Sequence, residues 1–213
     1  MPTEAPRPMT GDRSDRPVAV GLVPGDPVSE TIETVVDRLG VVVVEGGTAA
    51  GRPTIGDTPL PASAPEWLVE ALVLRALEPR HVLFLCVANS ARSQLAEGIA
   101  RSLAPPAVRV SSAGSEPTSV RPQAIAVLDE IGIDIRDHRS QGIDDVERPV
   151  DAVITLCAEE VCPVWLEDAW RLHWGLPDPA GAGESEVERL EAFRSVRDEL
   201  LRRLGVLFGG RVQ

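Results

Sequence analysis

His81-Val82-Leu83-Phe84-Leu85-Cys86-Val87-Ala88-Asn89-Ser90-Ala91-Arg92-Ser93 reads as strand, loop and helix in succession. His81 to Cys86 is a short apolar run of the kind a buried strand needs. From Ser93 to Leu103 the pattern changes: Leu95, Ile99 and Leu103 recur at i, i+4 and i+8, the spacing of one helix face. The loop between them begins at Cys86 and ends at Arg92. A loop that leaves a strand and enters a helix can turn successive backbone N–H groups inward and hold a tetrahedral oxyanion at the helix N-terminus. Val87, Ala88, Asn89, Ser90, Ala91 and Arg92 are the expected oxyanion-binding positions. Cys86 at the mouth of that positive field is favoured as a thiolate nucleophile. Arg92 can grip two anion oxygens at once, Ser93 can donate to the thiolate, and the Asn89 amide can hold the loop's shape.

Outward from this stretch, strands and helices alternate. Val108 to Ser111 is a strand, and Pro122 to Ile131 a helix ending at Gly132. Ala152 to Leu156 is a third strand and Arg171 to Trp174 a fourth. Ser185 to Leu204 is a helix opened by a capping box of Ser185 and Glu188. The class is therefore α/β, with a four-stranded, mostly parallel sheet flanked by helices. In such sheets the ligand site lies at the carboxyl ends of the strands, where both Cys86 and Cys157 fall.

Toward the N-terminus, residues 1 to about 16 are polar and Pro-rich, a disordered composition. Val18 to Val23 reads as a strand, Val28 to Leu39 as a helix closed by Gly40, and Val41 to Val44 as a buried strand. Together they suggest a β-α-β unit. Residues 46 to 65 read as a linker or long loop, and Trp67 to Leu77 as a helix. The expected division is an N-terminal extension, 1–78, and a main domain, 79–213.

Composition narrows the function. The 213 residues carry a net charge of -12, and all 21 basic residues are Arg. An acidic chain lacks the cations that neutralise a phosphate backbone, so nucleic acid is excluded as a partner. No apolar run reaches the ~18 residues of a membrane span. The start of the chain lacks the basic and apolar regions of a signal peptide. Three cysteines, Cys86, Cys157 and Cys162, are too few for a secreted disulfide scaffold. A cytoplasmic location is expected.

The motif Cys86-x-x-Asn89-Ser90-x-Arg92-Ser93-Gln94-Leu95-Ala96-Glu97-Gly98 resembles that of the thioredoxin-coupled arsenate reductases, which share the low-molecular-weight protein tyrosine phosphatase fold. The resemblance continues through Ser112-Ala113-Gly114, Gly132-Ile133-Asp134, His138-x-Ser140, Val153 to Cys157, Cys162-Pro163 and Leu172-His173-Trp174-Gly175-x-x-Asp178-Pro179-Ala180. It spans residue 80 to about 207. It implies that Cys86 attacks arsenate, that Cys157 attacks Cys86 and releases arsenite, and that Cys162 carries the disulfide outward to thioredoxin. Phosphate and sulfate are implied as competing oxyanions. Asp178 is implied as the general acid, where Asp-Pro alone would read as a turn.

Read as residues, Cys157 and Cys162 are two unrelated thiols, a zinc pair with His173, or a redox pair. In a regular helix positions i and i+5 stand about 8 to 9 Å apart, whereas a disulfide needs Cα atoms within about 7 Å. A bond between them would therefore force the segment out of helix. Four residues separate them, fewer than is common in the family, which leaves glutaredoxin or a small thiol as alternative reductants. Some relatives hold potassium beside the loop. Asn89, Glu97 and Ser112 match those positions, but Arg139 and Gln141 do not, and an Arg there repels a cation. Neither a metal nor a bound cofactor is expected. His138, His173, Trp165, Trp170 and Trp174 are expected to serve packing. The alternative function is that of a low-molecular-weight tyrosine phosphatase, which would use Cys86, Arg92 and Asp178 alike. The segment Pro179-Ala180-Gly181 and the absence of Tyr give a substrate ring little to pack on, and the thiol pair would be idle in a hydrolase. A second alternative is a thiol module that senses or holds arsenic without turning it over.

Overall fold

The computed structural model describes residues 17–158 and 163–209. The disordered reading of the first 16 residues and the position of Cys162 lie outside the described residues. The chain divides into two compact units between Ala64 and Pro65, rather than after residue 78.

The first unit contains the expected β-α-β arrangement. Strand β1 (Val18–Gly21) pairs in parallel with β2 (Val43–Glu45) across helix α1 (Pro27–Arg38). Asp26 caps α1 by accepting from the Val28 N–H at 2.8 Å, and Pro27 supplies the fixed φ of a first helical turn. Two expectations fail here. Val42, Val43 and Val44 are exposed rather than buried, because β2 is the edge of its sheet. The stretch taken as a linker holds a hairpin, β3 (Thr54–Ile55) and β4 (Thr58–Pro59), turned at Gly56 with φ +56° and paired antiparallel to β1.

The second unit carries the four-stranded sheet. Its strands are β5 (His81–Cys86), β6 (Arg109–Gly114), β7 (Ala152–Cys157) and β8 (Trp170–Leu176), in the order β6-β5-β7-β8 and parallel throughout. Every residue of β5 is buried, as a central strand covered on both faces requires. On one face Leu83, Leu85, Ala113 and Val153 pack with Val146, Val150 and Trp165. The helices are α2 (Glu66–Ala76), α3 (Arg92–Leu103), α4 (Pro122–Asp129) and α5 (Glu186–Phe208); α2, α3 and α4 all contact α5. The Ser185–Glu188 capping box opens α5 as the sequence indicated.

Helix α2 belongs with this unit because its residues from Val69 to Leu74 are buried in it and Glu70 accepts the Trp174 indole N–H at 3.0 Å. Trp67 lies 4.4 Å beneath the Arg202 guanidinium of α5. Trp165, Trp170 and Trp174 are all buried, in keeping with a packing role. No described helix is long and apolar enough to cross a membrane.

Candidate active site

Cys86 ends β5 and is 3% exposed. Its Sγ lies 2.9 Å from Ser93 Oγ. Asn89, fully buried, adopts φ +45°, a left-handed conformation that Asn tolerates better than most residues. Its side-chain amide nitrogen donates to Ser93 Oγ at 2.9 Å and to Ser112 Oγ at 2.7 Å. Ser112 in turn donates to Glu97 Oε2 at 2.5 Å. With its lone pair taken by Asn89, the Ser93 hydroxyl is free to direct its single proton at the Cys86 sulfur.

The loop is held from outside by its carbonyls. Val87 O accepts from Glu116 N at 2.9 Å, Ala88 O from Thr118 N at 3.0 Å, and Ser90 O from Arg121 N at 2.9 Å. Asn89 O accepts from Ser140 Oγ at 2.6 Å. A peptide plane with its carbonyl turned outward presents its N–H the other way, and a run of such planes forms an anion-binding concavity. The loop rests against Gly114, where an added Cβ would collide with Val87 O and stand 2.8 Å from Asn89 N.

Arg92, the first residue of α3, is 4% exposed. Its Nη1 donates to Leu176 O at 3.1 Å, which fixes the guanidinium against the end of β8. Asp178 follows two residues later, half-exposed, with Oδ1 3.7 Å from Arg92 Nη2. It also accepts from Ala180 N at 3.3 Å as cap of a short 3-10 turn over Pro179–Gly181. Cys157 is buried at the end of β7, opposite Leu176 in the ladder. Strands β5 and β7 are adjacent, so the two described thiols share one edge of the sheet. Cys86, Asn89, Arg92, Ser93 and Asp178 are thus brought together, with Cys157 beside them. Val87, Ala88, Ser90 and Ala91 form the intervening loop.

The residues supporting Asn89 are a part of the site that sequence reasoning missed. Asn89 Oδ1 accepts from Gln141 N at 2.8 Å and from Gln94 Nε2 at 3.1 Å. His138 Nδ1 meets Gln94 Oε1 at 2.9 Å and its Nε2 meets Arg101 at 3.2 Å, which requires the neutral ring to carry its proton on Nδ1. Burial, together with the Arg101 charge, holds the His138 imidazole down to about 4. Burial raises the Glu97 carboxyl above its ordinary value. The i, i+4 spacing of Glu97 and Arg101 on α3 was the available signal. Gln141 donates to Ser112 O at 2.8 Å, so it fills its place with an amide contact. Among the described residues no cluster of metal-ligating side chains occurs.

The family model for the low molecular weight phosphotyrosine protein phosphatases matches residues 81–212. An arsenate reductase of Halalkalibacterium halodurans is 42% identical over 126 residues, 58% of this chain and 91% of that protein. One from Bacillus subtilis is 41% identical over 131 residues, 60% of this chain and 94% of that protein. A solved arsenate reductase in its phosphate-binding state superposes with a TM-score of 0.52 at 38% identity, covering 61% of this chain and 97% of its own. Another in the reduced state gives 0.51 at 36% identity, with the same coverage of both chains.

Proposed function

The chain belongs to the low molecular weight phosphotyrosine protein phosphatase family, and from that membership we propose that it reduces arsenate to arsenite by a cysteine relay. The observation that carries this reading is the second thiol: Cys157 ends the strand next to the one that Cys86 ends. A hydrolase has no use for it, and the Halalkalibacterium halodurans and Bacillus subtilis relatives, matched over 91% and 94% of their length, are arsenate reductases.

Loop N–H groups and the Arg92 guanidinium bind the oxyanion and stabilise charge on its oxygens. The Cys86 thiolate attacks arsenic, and an arsenic–oxygen bond breaks. Asp178 protonates the departing oxygen, which leaves as water. Cys157, as thiolate, then attacks Cys86 Sγ. The sulfur–arsenic electron pair passes to arsenic, which falls from the pentavalent to the trivalent state, and a Cys86–Cys157 disulfide forms. Cys162 attacks Cys157, restores the Cys86 thiolate and presents the disulfide to thioredoxin or another dithiol reductant. Two electrons enter per arsenate reduced, and one arsenite is released. The cycle calls for a reducing compartment, which the cytoplasm supplies.

The test is arsenate-dependent NADPH consumption with thioredoxin and thioredoxin reductase, run beside Cys162→Ser. Turnover that requires Cys162 is expected. Disulfide formation on arsenate without turnover would leave the reduction intact and redirect the reductant to glutaredoxin or a small thiol. No oxidation of Cys86 at all would overturn the reading in favour of a phosphatase.

A further inference from the structure

Arg101 sits two turns beyond the Cys86 loop on α3, with its side chain half-exposed, and touches none of the residues that meet the oxyanion. Two hydrogen-bonded chains nevertheless run from it to one residue. In the first, Arg101 Nη2 pairs with Glu97 Oε1 at 2.5 Å, Glu97 Oε2 accepts from Ser112, and Ser112 Oγ accepts from Asn89 Nδ2. In the second, Arg101 Nη1 donates to His138, His138 to Gln94, and Gln94 to Asn89 Oδ1. The two arms close on Asn89, whose remaining amide proton goes to Ser93 Oγ, and Ser93 faces Cys86 Sγ.

We propose that Arg101 is a positioning residue for the nucleophile: its fixed cation sets the donor direction of both arms, and so keeps the Ser93 proton aimed at the Cys86 sulfur.

Each hydroxyl has a single proton, so direction propagates along the chain. An ionised Glu97 can only accept, which makes Ser112 donate to it and leaves the Ser112 lone pair for Asn89. A protonated Glu97 becomes a donor to Ser112, so Ser112 must accept from Glu97 and Asn89 together and turn its own proton away from Glu97, which loosens its hold on the Asn89 amide. Burial already pushes the Glu97 carboxyl toward protonation; the Ser112 hydrogen bond and the Arg101 charge oppose it. In the second arm Arg101 occupies His138 Nε2, which compels Nδ1 to donate to Gln94 and turns the Gln94 amide nitrogen toward Asn89. The charged and titratable groups converging on the thiol are Arg92 and Asp178 from its own loop and the acid turn, with Glu97, Arg101 and the neutral His138 behind it.

The proposal rests on Cys86 as the nucleophile, and its test uses no arsenate, so it stands or falls apart from the reductase reading. With Cys157 and Cys162 both changed to Ser, Cys86 is the sole thiol, and its alkylation by iodoacetamide is followed against pH. Arg101→Met is expected to slow alkylation about tenfold near pH 6 and to move the profile to higher pH, one pH unit being one factor of ten. The plateau at high pH should be unchanged, and Arg101→Lys, which keeps the charge beside Glu97, should recover most of the loss. Glu97→Gln should reproduce the Met profile and serves in its place if that variant does not fold. Profiles identical to the parent overturn the proposal. So does an Arg101→Lys variant as impaired as Arg101→Met, since that outcome marks packing rather than charge.

Discussion

Asp178 Oδ1 stands 3.7 Å from Arg92 Nη2, so an exposed carboxylate partly neutralises the buried guanidinium proposed to grip the anion. The pair is opposed in burial, 42% against 5%. The exposed partner can exchange protons with solvent while the buried one stays fixed by Leu176 O.

Asp178→Asn should therefore separate turnover from binding. Loss of a general acid lowers the rate of the first chemical step by about 10²–10⁴-fold. Removing a negative charge beside the anion leaves phosphate affinity equal or stronger. Rapid-quench kinetics and calorimetric phosphate titration check the two halves; phosphate binding weakened in step with the rate would sink the assignment.

Arg92→Lys keeps the charge and loses the fork. Lys cannot hold Leu176 O and the anion in the same bidentate geometry. A charged hydrogen bond of about 2 kcal/mol is lost, roughly a thirtyfold fall in oxyanion affinity. Unchanged phosphate affinity by calorimetry would remove Arg92 from the anion grip.

Gly114→Ala should disable the loop while sparing the fold's other strands. The new methyl would press on Val87 O and on Asn89 N, which are backbone atoms without an easy retreat. Alkylation of Cys86 should lose its phosphate protection, a measurement that needs no turnover. Full protection by phosphate would mean the loop tolerates the displacement.

Asn89→Ala removes two donors and one acceptor from a buried site and leaves Ala at φ +45°. A stability loss of about 2–4 kcal/mol is expected in urea denaturation. A loss below about 1 kcal/mol would show that water substitutes for the amide.

Acid should weaken the fold through its histidines. His138 is held at about 4 in the folded chain against 6.5 unfolded, so between those values the unfolded state binds the extra proton. Stability is then fully present above 6.5 and falls as pH drops toward 4. His81, which meets Pro149 O at 2.9 Å and Ser111 Oγ at 2.7 Å, is lowered by burial and acts in the same sense. Glu97, raised by burial, acts in the opposite one. The urea midpoint of His138→Gln should vary less than that of the parent between pH 7 and 4.5; equal slopes would exclude His138 as a source.

The sequence exposed the parts of this molecule whose physics is local. His81 to Cys86 is apolar and ends at a loop, and β5 has those bounds. Ser93 follows Arg92 directly, and its contact with Cys86 was foreseeable from that spacing. What stayed hidden depends on distant partners. Arg92 anchors on a carbonyl 84 residues away. Arg101 reaches Asn89 only through residues drawn from α3, β6 and the turn at His138. The exposure of Val42 to Val44 follows from β2 being an edge, which an unbroken β-branched run cannot reveal. The hairpin over Thr54 to Pro59 has strands too short for any alternation to register.

Helix α2 precedes the stretch that the family model matches, yet Glu70 receives the Trp174 indole and Trp67 supports the Arg202 guanidinium. The inherited boundary and the mechanical boundary therefore do not coincide. A fragment cut where the family begins would expose the flank of α5 and strip the indole of its acceptor, inviting aggregation. One cut before Pro65 would keep both, which makes Ala64–Pro65 the joint at which this enzyme can be taken apart or grafted.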